Sequence, residues 1–226
     1  MAGRNVRALE TRQRILDSAS AVFAEKGFGT ASLNDIAERA YVTTGAFYYH
    51  FDSKEAVATA LVEHTWPQVE RAVVAILSTR APGLENVIVM SFAMMDMMST
   101  DRSKWLAFDL DYRFGKTNTP GQLSYADRVG MITEHLTNAL ARTELHEDVS
   151  PQEAGAVIVN NIYGLFTTAL HDSAMFPGAD PGEPVRQLTG NWRILLGGIA
   201  PADALLYYRQ FLNRTADLYE QRAAAG

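Results

Sequence analysis

The chain has 226 residues, 47% hydrophobic and 20% charged, the balance of a globular protein with one sizeable core or two modest ones. It contains no cysteine, which excludes disulfides, thiol catalysis and thiolate metal sites, and no apolar run reaches the roughly 20 residues of a membrane-spanning helix. Net charge is −6, yet residues 1–60 hold seven Lys/Arg and seven Asp/Glu, so the acidity lies in the rest of the chain and a local contact with DNA is not excluded.

In chain order, Arg4, Arg7, Arg12 and Arg14 face only Glu10 within the first fourteen residues. With no apolar segment among them they do not read as a signal peptide, so the cytoplasm is the expected location. Residues 1–7 read as a mobile arm, either reaching a DNA backbone or simply a disordered terminus. A helix is expected over 8–26, with Ile15, Ala19, Val22 and Phe23 on one stripe and Gly27 just past its end. Leu33, Ile36, Ala37 and Ala40 recur at i, i+3, i+4 and i+7, so they form the buried stripe of a second helix, capped by Ser32 and favoured by Asp35 in its first turn.

After a break at Ala40–Thr43, Thr43 caps a third helix whose Phe47 and Phe51 turn inward. Opposite them fall Gly45, Ala46 and Tyr49, flanked by Thr44, Tyr48 and His50. An ordinary pair of small helices explains the two phenylalanines, but not two tyrosines and a histidine on the exposed side. Two short helices, a tight turn and small residues at the start of the second read as a helix-turn-helix, with hydroxyl, phenol and imidazole groups offered to bases and phosphates. Ser53 and Lys54 open the next helix, where N–H groups and an ammonium suit a phosphate.

That helix carries Val57, Leu61 and Val62 to Trp66-Pro67, where proline is expected to kink or split it. The boundary is drawn there, giving domains 1–66 and 67–226; the proline is either a hinge or a mere break. Further helices are expected over 68–80, 84–100, 102–115, 121–145, 151–172, up to Leu196 with a stop at Gly197-Gly198, and 202–222. The helix over 84–100 holds Met90, Met94, Met95, Met97 and Met98, which on the residues alone read as core. The one over 151–172 is apolar on most of its circumference, and its Asn160, Tyr163, Gly164 and Thr167 form a polar stripe needing partners. The last helix has two apolar stripes, Leu205, Tyr208, Leu212, Tyr219 and Ala204, Tyr207, Phe211, Leu218, which implies its own domain on one side and another chain on the other.

The run TRQRILDSASAVFAEKGFGTASLNDIAERAYVTTGAFYYHFDSKEAV resembles the DNA-binding domain of the TetR family of bacterial transcriptional regulators, with nearly every element in order and at the right spacing. The resemblance implies an all-α fold: an N-terminal three-helix domain with a helix-turn-helix, then a larger helical ligand-binding and dimerisation domain. It makes Thr44, Gly45 and Ala46 base-facing, Tyr48, His50 and Lys54 phosphate anchors, and Asn34 a groove-facing residue of the preceding helix. Thr43 and Tyr49 complete the DNA-binding set. Two departures stand out: Tyr41 occupies a turn position where the family commonly has glycine, so the turn either keeps its shape at a cost of about 1–2 kcal/mol or is reshaped, and Thr44 stands where Lys or Arg is frequent.

In the same context Met90, Met94, Met98, Trp105, Phe108, Tyr112, Gln122, Tyr125, Asn160, Tyr163 and Thr167 become the wall of a ligand cavity. RALETRQRILDSASAVFAEKGF, the aromatic reading helix and NWRILLGGIAP look like the γ-butyrolactone-type autoregulator receptors of actinobacteria. Those receptors commonly carry a tryptophan in a central helix where residues 121–145 have none, so the signal is expected to differ or to be more polar. The expected function is a homodimeric repressor of antibiotic or autoregulator genes, released from pseudo-palindromic operator DNA by a small hydrophobic butyrolactone, butenolide or furan signal. The alternative is a family member serving drug or metabolite efflux. No cofactor, metal site or catalytic residue is expected: Asp109-x-Asp111, Glu134-His135 and His171-Asp172 are isolated pairs with no third ligand or nucleophile at a recognisable spacing.

Overall fold

The computed structural model describes residues 2–79, 83–99, 104, 106–110, 125–171 and 182–225, with backbone alone for 2–5, 66, 99, 125, 168–171 and 225. Among them regular structure is entirely α-helical: α1 Ala2–Lys26, α2 Leu33–Arg39, α3 Thr44–His50, α4 Lys54–Leu77, α5 Leu84–Ser99, α6 Tyr125–Ala141, α7 Pro151–His171, α8 Glu183–Ile199 and α9 Leu205–Ala225. Residues 106–110 are also helical. No described helix is long and apolar enough to cross a membrane. Contacts divide the chain into two units, Met1–Gln68 with Asp101–Gln122, and Val69–Thr100 with Leu123–Gly226.

The first unit is built on the expected stripes. Ile15, Leu16, Ala19, Val22 and Phe23 of α1 are buried together with Ile36 and Ala37 of α2 and Phe47 of α3. Ser32 and Asp35 form a reciprocal capping box at the start of α2, each side chain accepting the other's backbone N–H. Lys26 Nζ lies 2.6 Å from Asp35 and Arg39 2.8 Å from Glu25, so two ion pairs tie α2 to the end of α1. The hydrogen bond from Lys26, followed by those from Ser32, holds the Asp35 carboxyl well below the ordinary carboxylate range. Two expectations are corrected here. The helix reaches back to Ala2, so residues 2–7 continue α1 instead of forming a separate arm. Pro67 sits inside α4, which runs unbroken to Leu77; the proline removes one backbone donor without ending the helix.

The second unit has α5 at its centre. Val87, Ile88, Met90, Phe92, Met94, Met95 and Met98 are buried, Phe92 stacks on Tyr219 of α9 at 5.8 Å, and the fully buried Trp192 of α8 donates its indole N–H to Ser91 Oγ at 2.7 Å. α6 and α7 pack closely, and Gly155 is the reason they can. A Cβ there would stand 2.8 Å from Thr133 Oγ1 and 3.4 Å from the Val129 carbonyl. One polar corner pins three elements. Glu144 accepts the Leu84 N–H at 3.1 Å and pairs with Arg142 at 3.0 Å, while the Tyr207 hydroxyl donates to Glu85. Burial first, then the nearby Glu144 and Glu85, raise the Tyr208 phenol far above its ordinary value, so this phenol keeps its proton.

Three further helix expectations change. α6 stops at Ala141, not 145, because the Thr143 and Glu144 N–H groups fold back onto the Leu140 and Ala139 carbonyls with Thr143 left-handed at φ 59°. α8 runs through Gly197-Gly198 to Ile199, where the chain turns into Pro201; nothing in the backbone requires those glycines to break it. α7 is not apolar nearly all round, since Val157, Asn160 and Gly164 lie on an exposed stripe.

Candidate nucleic-acid interface

The sequence from Thr43 to Lys54 builds the face that carries the chemistry. Thr43 has extended backbone and its Oγ1 accepts the Ala46 N–H at 3.1 Å, opening α3. Phe47, 1% exposed, anchors the helix against Phe51, with ring centroids 6.1 Å apart. That anchoring turns the opposite side outward: Thr44 and Gly45 are exposed, Ala46 and His50 half-buried, and Tyr48 and Tyr49 exposed at 51% and 79%. Tyr49 and His50 meet edge to face at 5.0 Å, which holds two hydrogen-bonding rings side by side. Asn34, in the first turn of α2, is also exposed.

Gly45 is informative because nothing in the protein demands it. A Cβ at this position would meet only Thr43 Oγ1, at 4.0 Å. Glycine in a helix costs about 1 kcal/mol relative to alanine, and here neither packing nor a positive φ offsets that cost. The room beside Gly45 is therefore room for something outside the fold.

Lys54 stands differently from its expected role as a free phosphate anchor. Its ammonium donates to the carbonyls of Phe28 and Ala31 at 2.7 and 2.9 Å and lies 4.4 Å from the Phe28 ring centroid, so two of its three donors serve the fold. The sequence alone places Arg12 only in the basic N-terminal stretch. The structure sets its guanidinium 5.0 Å from the Phe51 ring centroid, at the C-terminal end of α3, while the side chain stays exposed. Its position three residues before Ile15 on α1 was the available signal.

The turn before α3 is not reshaped. Tyr41 keeps the left-handed conformation at φ 53°, its N–H donating to the Glu38 carbonyl at 3.1 Å and the Val42 N–H to the Ala37 carbonyl at 3.0 Å. This is a Schellman ending to α2, of the kind glycine favours, and a side chain in it costs about 1–2 kcal/mol.

The expected ligand residues are only partly brought together. Met90, Met94 and Met98 lie on one buried stripe of α5 in the second unit, whereas the buried Phe108 belongs to the first. Trp105, Tyr112 and Gln122 lie outside the described residues, as does the side chain of Tyr125. On α7, Asn160 is exposed, and Thr167 donates its hydroxyl to the carbonyls of Tyr163 and Gly164 at 2.9 and 3.1 Å, so that group is satisfied within its own helix. Tyr163 is half-buried with the Arg128 guanidinium 5.7 Å from its ring centroid, a pairing across α6 and α7 that the sequence reading did not include. His135 is buried and burial lowers its proton affinity, with Glu134 opposing weakly; its Nδ1 has no hydrogen-bond partner among the described residues. No group of three His, Cys, Asp or Glu able to hold a metal occurs among them.

The family profile for bacterial regulatory proteins of the tetR family matches residues 15–61, the span from the α1 core to the first turns of α4. The A-factor receptor protein of Streptomyces griseus is 42% identical over 67 residues, 30% of this chain and 24% of that protein, so the match spans about a quarter of that relative's length. The HTH-type transcriptional regulator TtgW of Pseudomonas putida is 37% identical over 106 residues, covering 47% of this chain and 76% of that one. Over the whole chain the fold is like that of a crystallised γ-butyrolactone receptor (an ArpA-like protein), with TM-score 0.73, 23% identity, and 93% and 98% of the two chains covered. The profile falls on the helices whose outward face was just described, and three quarters of a relative named an HTH-type transcriptional regulator is matched as well: this chain belongs to the TetR family of bacterial regulatory proteins.

Proposed function

We propose that the protein is a homodimeric transcriptional repressor that inserts α3 into the major groove of a pseudo-palindromic operator and is released by a small signalling molecule. In this reading residues 1–66 bind DNA and residues 67–226 bind the signal and the second subunit. The observation that carries it is the outward face of α3: two exposed tyrosines and a half-buried histidine beside a glycine for which the fold has no use. Gly45 and Ala46 let the helix approach base edges, Thr44 and Tyr49 read them, and Tyr48, His50 and the remaining Lys54 donor hold phosphates.

A second copy has a surface to bind. Gly190, Ile194, Gly197 and Gly198 share one face of α8, Ile194 is 78% exposed, and a Cβ at any of the three glycines would meet nothing within 4 Å. On α9, Tyr207 and Leu218 of its second apolar stripe are exposed, Phe211 and the Ala204 that precedes the helix are half-buried, and Leu206 is exposed outside that stripe. Small residues beside large apolar ones let two helices approach closely and bury area between copies. The buried methionine stripe of α5 supports an adaptable apolar site for a butyrolactone, butenolide or furan signal. Release requires that this signal bind the DNA-free form more tightly than the DNA-bound one.

The test is fluorescence anisotropy on the duplex immediately upstream of the protein's own coding sequence, with and without lactone, butenolide and alkyl-furan compounds. Salt-sensitive binding that one compound class abolishes is the expected result. Binding that none of them disturbs, but a drug or metabolite of another class does, would move the protein to efflux control. Absence of binding at low salt would overturn the DNA reading.

A further inference from the structure

Tyr41 combines two features that nothing in the fold explains. Its backbone is left-handed at φ 53°, where glycine is the relaxed choice, and its side chain is 93% exposed, so no burial of the ring offsets the strain. The turn hydrogen bonds around it are backbone to backbone and need no phenol. Its place in the chain sets it next to the reading helix: Ala40 is buried at the end of α2, Val42 is half-buried, and Tyr41 stands in solvent two residues before Thr43, which caps α3. A rigid aromatic ring with a hydroxyl at its tip, held at a strained position and covering nothing, is suited to a partner that arrives from outside.

We propose that Tyr41 is an additional operator-contacting residue, whose phenol donates a hydrogen bond to a backbone phosphate at the wall of the groove that α3 enters. This rests on the reading of α3 as the base-reading helix and extends the contact surface into the turn before it. Because a hydroxyl donor brings no positive charge to the backbone and the phosphate is common to every sequence, the contact adds affinity without selecting a base and without changing the salt dependence of binding. The turn keeps the backbone that glycine favours, so what tyrosine adds there is the ring and its hydroxyl.

The experiment uses the full chain and a duplex enriched by the wild-type protein from a random-sequence pool, with Tyr41→Phe and Tyr41→Gly compared by anisotropy and thermal unfolding. Removing the hydroxyl alone should weaken binding about 10- to 100-fold, the span of one lost hydrogen bond in each of the two subunits. The loss should be equal on the enriched duplex and on a shuffled one, with an unchanged salt slope. Tyr41→Gly should bind at least as weakly while melting about 2–4 °C higher, separating the relief of strain from the loss of contact. Wild-type affinity in both variants overturns the proposal and leaves the DNA reading standing. A base-dependent loss in Tyr41→Phe also overturns it, by making the phenol a base reader. If the wild-type protein enriches no duplex, the DNA reading fails and the proposal goes with it.

Discussion

Gly45 and Gly155 mark opposite uses of the smallest residue in the two units of this molecule. Around Gly45 in α3 there is open space and a Cβ would touch only Thr43 Oγ1 at 4.0 Å, whereas at Gly155 in α7 it would press within 2.8 Å of Thr133 Oγ1. Aromatics divide within each unit: the first buries Phe23, Phe47 and Phe51 but leaves Tyr41, Tyr48 and Tyr49 outside, and the second buries Phe92, Phe166 and Trp192 but leaves Tyr207 outside. Where small and aromatic residues serve the interior they report packing. Where they stand outside, as on α3, they leave a surface open to a partner.

Gly45→Leu should break the comparison most visibly. Helix propensity favours it by about 1 kcal/mol, so the protein should fold at least as well. DNA affinity should nevertheless fall by about 100-fold or more, the loss of one or two base contacts at roughly 1–3 kcal/mol each. Anisotropy and a urea melt on one sample read both quantities, and unchanged affinity would remove α3 from the groove. At the other glycine the signs reverse. Gly155→Val should cost about 1–3 kcal/mol by overpacking α6 against α7, visible as a lower urea midpoint.

Thr143→Gly sharpens the contrast between the two strained turns. Thr143 and Tyr41 share the same Schellman geometry at φ 59° and 53°. Relief at Thr143 should raise stability by about 1 kcal/mol, or about 2–4 °C in Tm, and leave DNA affinity untouched. Relief at Tyr41 is expected to lower affinity as well.

The smallest effect concerns pH. Burial lowers the proton affinity of His135 below its ordinary value of 6.5, so the unfolded chain takes up a proton there that the folded chain refuses. Stability from this residue is present above about pH 6.5 and declines as pH falls, by at most about 1.4 kcal/mol per pH unit. Urea melts at pH 7 and 5.5 should show a smaller gap in His135→Gln than in the wild type.

The first unit was legible in the sequence because its signals are local. Ser32 and Asp35, Thr43, and the Phe47/Phe51 pair each fix a cap or an inward face within a few residues. Lys54 escaped that reading because its partners, the Phe28 and Ala31 carbonyls, are more than twenty residues away. The second unit was harder for the same reason. Gly197-Gly198 reads as a stop in isolation, but Ile199 and His146 are joined by a backbone hydrogen bond at 2.9 Å, which gives the last turn of α8 a long-range tie. The polar stripe of α7 looked as if it needed buried partners; Asn160 and Gly164 instead face outward, which depends on which side α6 covers. Tyr41 was visible as a departure from glycine, but only its φ and exposure show that the turn kept its shape.

The measurement closest to the central claim is a hydroxyl-radical footprint of the wild-type protein on the duplex upstream of its coding sequence. Two protected patches, centred about 10 bp apart or a whole multiple of that, are predicted for a dimer placing two copies of α3 in successive grooves on one side of the duplex. Uniform protection that any other sequence reproduces, or none, would contradict it.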